Sequence, residues 1–321
     1  MRKPGEALTD EERLVEALIA ATPEWRGLSV RYEAGATPVM SPLHRAVDSV
    51  CFAIDVGAAP ERFFLKILHP DLWPSVDVGA AFEAARIAAQ LGTTPKPLRL
   101  FAAERATLFD RLDEMWRTAT VDDFADATIL FNVVSAKKAI HAGPPFGRKW
   151  TVFNGIRQLE ADLAAGGIEA PAGVGRLRAA AGNIEQAFIL AGWDAKPCHG
   201  DGLASNVMVG PGKAIQLVDF DNACDADPYF DLGILLNEAL AFDTDMRGAL
   251  EEFDGCFRPQ SLNRCRLYGV ADDLYWGLWA RLMHAISPRK NLEFLKYSQW
   301  RLLRCQIAAG DPRFEAMLQL L

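Results

Sequence analysis

The stretch CHGDGLASN (198–206), followed by IQLVDFDNACDADPYFDLG (215–233), decides how this chain is read. Asp201 and Asn206 stand five residues apart in a loop rich in glycine and serine. Val207–Val209 and 214–218 read as two short strands joined by the turn Gly210-Pro211-Gly212-Lys213. Such a hairpin returns the chain, so Asp219 at its end comes back beside Asn206. Side-chain oxygens from Asn206 and Asp219 suit a hard cation, Mg²⁺ above all, that bridges phosphates. Asp201 is left over to accept a proton from a hydroxyl nucleophile. Positioning, charge neutralisation and a base are what phosphoryl transfer requires.

The rest of the chain is compatible with such a site. Its 321 residues carry a net charge of −8, and half of them are hydrophobic, enough for a substantial core and two lobes. A pI near 5.3 argues against nucleic acid or an anionic membrane surface as partner, because both need a basic face. The cysteines, six in all, are scattered without a C-x-x-C pair, which excludes zinc spacing and a disulfide framework. MRKPGEALTDEERL at the N-terminus has no apolar signal region. No run reaches the roughly 18 apolar residues of a membrane helix. Leu232–Phe242 comes closest and is interrupted by Glu238. The expectation is a cytoplasmic protein without membrane insertion.

Outward from the loop, secondary structure divides unevenly. Thr9–Ala21 reads as a helix with a Thr9/Glu12 capping box. Leu28–Tyr32, Ser49–Val56 and Arg62–Leu68 read as strands, the last two a hairpin around Gly57-Ala58-Ala59-Pro60. Residues 35–45, with Pro38 and Pro42, read as loop, and Ala80–Leu91 as a helix. From about Ala103 the pattern turns helical: Val121–His141, Leu177–Ala191, Asp231–Ala241, Pro259–Ser287 and Leu292–Ala309. Asp231 is read as the cap of its helix. The fold class is α+β, with a small β-rich N-terminal lobe over 1–102 that binds nucleotide and a larger, mainly helical lobe over 103–321 that carries catalysis and substrate binding. The joint is expected near Leu98–Glu104.

H-x-D-x(4)-N followed by D-F-D resembles the catalytic signature of the choline/ethanolamine kinase and aminoglycoside phosphotransferase superfamily, a branch of the protein-kinase-like fold. His199, Asp201, Asn206 and Asp219 match it without gaps. The resemblance implies ATP and Mg²⁺, with Asp201 as the base, Asn206 and Asp219 as metal ligands, and Asp221 assisting a second ion. His199 is expected to brace the loop backbone. In kinase-like folds a strand lysine contacts the nucleotide phosphates and pairs with a helix glutamate. Lys66 in RFFLKIL and Glu83 in AAFEAARIAAQL have the right order and type. The relatives usually carry G-G-[LMI]-[TS]-N after the first strand. Gly35-Ala36-Thr37-Pro38 departs from it, lacking one glycine and the asparagine, which leaves ATP versus GTP open.

The substrate side rests on the same resemblance. Glu238 lies seven residues after Asp231, two turns along one helix face, at the spacing of a family glutamate that faces the substrate cation. Trp276 and Trp279 in YWGLWARL would ordinarily be core packing. LYWGLWARLMHAIS followed by LEFLKYSQWRLLR resembles the choline/ethanolamine kinase C-terminal region, including its W-G-L-W tetrapeptide. There, these tryptophans and a following phenylalanine, Phe294 here, line a pocket for an ammonium group. The resemblance thus implies transfer of a phosphoryl group to a small amino alcohol, choline or ethanolamine. The alternatives are a kinase for an aminoglycoside or sugar, and a degenerate kinase fold that only binds a ligand.

Overall fold

A computed structural model describes residues 1–35, 47–57 and 61–321. The expectations for the 35–45 loop and for the turn at 57–60 fall largely outside them.

The chain opens with helix α1 (Asp10–Ala20), held by the expected capping box. Thr9 Oγ1 accepts from the Glu12 amide at 3.1 Å, and Glu12 returns a carboxylate to the Thr9 amide at 3.3 Å. Strands β1 (Val30–Ala34), β2 (Ser49–Val56), β3 (Glu61–Leu68), β4 (Pro97–Phe101) and β5 (Ala106–Asp110) form one antiparallel sheet in the order β1-β2-β3-β5-β4. Helix α2 (Val78–Gln90) packs against β4 and β5 with Ala84, Ala85 and Ala88 buried, small side chains that allow close approach. The sheet includes β5, so it runs to Asp110, past the boundary at 102 expected from the sequence. Residues 97–110 look irregular in sequence because β4 carries a bulge between Pro97 and Arg99.

Beyond the sheet come β6 (Arg117–Thr118), α3 (Ala127–His141), α4 (Val152–Ala165), α5 (Val174–Ala191), β7 (Lys196–Cys198), β8 (Val207–Val209), β9 (Ile215–Leu217), β10 (Cys224–Ala226), α6 (Pro228–Ala239), α7 (Asp243–Asp254), α8 (Pro259–Ile286), α9 (Phe294–Ala309) and α10 (Phe314–Gln319). The long helix expected over 121–141 is broken. Asp126 is extended and accepts from the Thr128 amide, so it caps α3 and leaves Val121–Ala125 as a separate turn. Likewise Asp227, not Asp231, caps α6, through the Tyr229 amide at 3.0 Å, with Pro228 in the first turn.

The 28-residue α8 is the axis of the larger lobe, packed by α4, α6 and α9, with Leu267, Ala271, Leu274 and Leu278 fully buried. Among the described residues no helix is long and apolar enough to cross a membrane.

Candidate active site

Lys66 on β3 points from the sheet into the cleft between the lobes. Its Nζ lies 2.7 Å from Asp219 Oδ1 and 2.7 Å from Asp221 Oδ1. A buried lysine must be paired, and these two carboxylates hold its pKa well above the ordinary lysine value despite burial. Burial also opposes the charge on both acids. For Asp219 the lysine outweighs it and the pKa falls. For Asp221 burial wins and the pKa rises, because one cation serves two anions.

The expected Lys66–Glu83 pair does not form. Glu83 lies on the solvent face of α2, its side chain 49% exposed, bonded to Arg86 at 2.6 and 2.8 Å. The face of α2 turned to the cleft carries Ala81, Phe82 and Ala85 instead.

Lys66, Asn206, Asp219 and Asp221 line one cleft of about 310 Å³, with apolar walls from Phe64, Pro95, Phe109 and Met208. As the hairpin spacing predicts, β8 and β9 pair with Val207 opposite Leu217, and the Val218 amide donates to the Asn206 carbonyl at 2.9 Å. Asp219 turns into the cleft by adopting φ of 70°. A non-glycine residue in this left-handed region costs of the order of 1–3 kcal/mol, the kind of strain that collects at functional sites. Asp221 Oδ2 is buried and has no hydrogen-bond partner among the described residues.

Asp201 faces a second cleft, lined also by Gly200, Gly202, Glu238, Asp272, Trp276 and Arg301. Its Oδ1 accepts from the Leu203 amide at 2.8 Å. The two glycines are required for this path. A Cβ on Gly200, itself at φ of 76°, would meet the Asn222 carbonyl oxygen at 2.3 Å, and one on Gly202 would meet the Ile234 backbone at 2.5 Å. His199 braces the loop: its ring nitrogens face the carbonyl oxygens of Val218 at 2.9 Å and Asp201 at 3.2 Å.

Under the loop lies a buried network. Asp231 is fully buried and accepts from Lys137 Nζ at 2.7 Å, His141 Nε2 at 2.9 Å, and the backbone amides of His199 and Gly200 at 3.1 and 2.9 Å. Burial would raise its pKa, but Lys137 and His141 hold it far below the ordinary carboxylate value. Lys137, 1% exposed, also donates to the Asp201 carbonyl at 2.9 Å. Sequence reasoning misses Lys137 and His141. The available signal was a lysine at 137 on the apolar stripe of Leu130, Val133 and Val134, where only a paired charge can sit.

The substrate side is only partly as expected. Glu238 reaches the second cleft and pairs with Arg304 Nη1 at 3.2 Å. Trp276 lines that cleft. Trp279, 6% exposed, stands edge-on behind it at 5.1 Å between ring centroids, and Phe294, 2% exposed, stands edge-on to Trp279 at 5.8 Å. Trp276, Trp279 and Phe294 thus form a row of edge-on rings, with Trp276 at the cleft. Phe294 lines a separate depression at the α8–α9 turn. Sequence reasoning also misses the ions beneath: Arg301 binds Asp272 and, at 2.7 Å, Asp273, while Arg304 approaches Asp273 at 3.3 Å.

Residues 42–268, more than half of the chain, match the model of the phosphotransferase enzyme family. No curated protein sequence matches the chain. Solved structures are similar in fold. A choline/ethanolamine kinase family protein from Mesorhizobium loti is 22% identical, with a TM-score of 0.79 over 96% of this chain and 98% of its own. The choline kinase LicA from Streptococcus pneumoniae is 16% identical, with a TM-score of 0.74 over 94% and 99%. Spectinomycin phosphotransferase in complex with ADP and spectinomycin is 13% identical, with a TM-score of 0.59 over 96% and 98%. The two-lobed α+β fold is thus that of the kinase-like enzymes, and the chain belongs to the phosphotransferase enzyme family.

Proposed function

We propose that the protein transfers the γ-phosphoryl group of ATP to the hydroxyl of a small amino alcohol, choline or ethanolamine. One observation carries this reading: a single loop, 198–206, offers Asn206 to the cleft that holds Lys66 and Asp219, and Asp201 to the cleft that holds Glu238 and Trp276. Nucleotide and acceptor would then meet across that loop.

Asp201 orients the acceptor hydroxyl and takes its proton as the oxygen attacks the γ-phosphorus. The bond from that phosphorus to the β,γ-bridging oxygen breaks, and ADP leaves. Lys66 directs its charge to the phosphates. Mg²⁺ fits the donor set of Asn206, Asp219 and Asp221, which is all oxygen and includes the orphaned Asp221 Oδ2. When bound, it neutralises phosphate charge. Trp276 offers an aromatic face to the ammonium group, with Trp279 and Phe294 fixing its ring, and Glu238 supplies the countercharge. All six cysteines are free thiols, which suits the reducing cytoplasm.

An aminoglycoside acceptor is the second reading, favoured by the additional carboxylate of Asp272 on the acceptor cleft. A kinase fold that only binds a ligand has less support, because the chain keeps Asp201, Asn206 and Asp219 and brings Lys66 against Asp219 and Asp221. ADP release measured across choline, ethanolamine, their methylated intermediates and an aminoglycoside decides among the three. A nucleotide at a hundred times its Kd would also stabilise the fold by about 2.7 kcal/mol. No ADP release with any acceptor would sink the enzymatic reading.

A further inference from the structure

Among the described residues, the acidic cluster at the acceptor cleft is short of positive charge. Glu238, Asp272 and Asp273 are three carboxylates served by two guanidiniums, those of Arg301 and Arg304. Asp272 is 9% exposed, and its Oδ2 accepts from Arg301 Nη2. Its Oδ1 makes no hydrogen bond among the described residues, although the side chain lines the cleft beside Asp201 and Trp276. Glu238 is arranged alike: Oε2 is taken by Arg304, and Oε1 makes no hydrogen bond among the described residues. Burial pushes Asp272 up to about 6 even with Arg301 bound, as expected of a carboxylate short of donors.

A quaternary ammonium group can supply charge to these oxygens but no N–H. Seated against them, it would strip water from lone pairs that then go unbonded, at a cost. A primary ammonium group has three donors. We propose that Asp272 is a specificity residue: its Oδ1, with Glu238 Oε1, accepts hydrogen bonds from the substrate nitrogen, so the preferred amino alcohol carries a primary amine and each N-methyl group weakens it. This rests on the amino-alcohol reading above. Arg301, buried and held by both Asp272 and Asp273, fixes the Asp272 carboxylate in advance of binding, as selective sites require.

The test is kcat/KM for ethanolamine, its mono- and dimethyl derivatives and choline, with wild type and Asp272→Asn, and an aminoglycoside as a further acceptor. Wild type should fall stepwise along the series, by at least about tenfold from ethanolamine to choline. Asp272→Asn should shrink that ratio at least about tenfold, chiefly through the KM for ethanolamine. The proposal is overturned if wild type uses choline as well as ethanolamine, or if the variant lowers both equally. The wild-type series decides the matter even should the variant fold poorly. Phosphorylation of the aminoglycoside with no turnover of any amino alcohol would overturn the amino-alcohol reading itself, an outcome distinct from turnover of all four without preference.

Discussion

Lys137→Met tests whether the buried network under the catalytic loop works as described. The substitution keeps the length of the stem and removes the ammonium that joins Asp231 to the Asp201 carbonyl. Removing one partner of a buried ion pair costs about 3–5 kcal/mol, because the other charge stays behind. Asp231 would keep His141 and two backbone amides, so the lower end, about 3 kcal/mol, is expected. Unfolding entropy near 2.1 cal/mol/K per residue over 321 residues gives about 0.7 kcal/mol/K, hence a Tm lowered by about 4 °C. The variant should also lose kcat more than affinity for ATP, because the loop carrying Asp201 loses its anchor. The double variant Lys137→Met/Asp231→Asn should be milder than the sum of the singles by about 1 kcal/mol or more. The sign with pH follows from the depressed pKa of Asp231. Its stabilisation is complete above the ordinary value of 3.8 and is lost as pH falls below it, so wild type and Lys137→Met should converge in acid. Additive singles, or an unchanged Tm with normal turnover, would refute the reasoning.

Asp201→Ala should leave the thermal shift with nucleotide intact while turnover falls about 10²–10⁴-fold; equal turnover rejects Asp201 as the base. Glu83→Ala should leave kcat/KM within about twofold of wild type, since it breaks only an exposed pair with Arg86; a large loss would restore the lysine–glutamate pair expected from sequence. Trp276→Ala should raise the KM for the amine more than that for ATP, whereas Trp279→Ala, deleting a buried indole, should do so with a Tm loss of several degrees, from about 3–5 kcal/mol; the reverse ranking of KM effects would remove the aromatic role. Asp272 holds its proton in the folded state at pH values where the unfolded chain has lost it, so wild-type stability should decline as pH climbs from 3.8 to about 6, and Asp272→Asn should flatten that decline in Tm-versus-pH measurements; parallel curves would contradict it.

How much of this could be read from the chain depended on sequence distance. Asp201, Asn206 and Asp219 lie within 18 positions of one another along loop and hairpin, and local turn chemistry fixes that path. Lys66 was legible as a lysine needing a partner, but its partners lie 153 and 155 positions away, a pairing that only the lobe arrangement decides. Glu83 misled because helix periodicity gives a face, not its direction: Ala84, Ala85 and Ala88 are small enough to sit against the sheet, and Glu83 turns outward. Strand β5, which carries the sheet to Asp110, is hard to read from sequence because ATLFD is short and follows a polar turn. Lys137, Arg301, Asp272 and Asp273 share another signal: charges set on otherwise apolar helix stripes, each of which had to find a buried partner.

The two clefts follow one electrostatic plan. In the first, Lys66 is the one cation among the described residues that pairs with Asp219 and Asp221; in the second, Arg301 and Arg304 serve Glu238, Asp272 and Asp273. Among the described residues, each cluster is short by one positive charge and holds a carboxylate oxygen that makes no hydrogen bond, Asp221 Oδ2 in the first and Asp272 Oδ1 in the second, where only Oδ2 is bonded to Arg301. A protein selected for stability alone would neutralise both, since buried anions in excess of their partners are costly. Leaving both deficits, one on each side of the Asp201 loop, lowers the stability of the free protein, and under the proposed function a divalent ion on one side and a substrate ammonium group on the other would make up the missing charge.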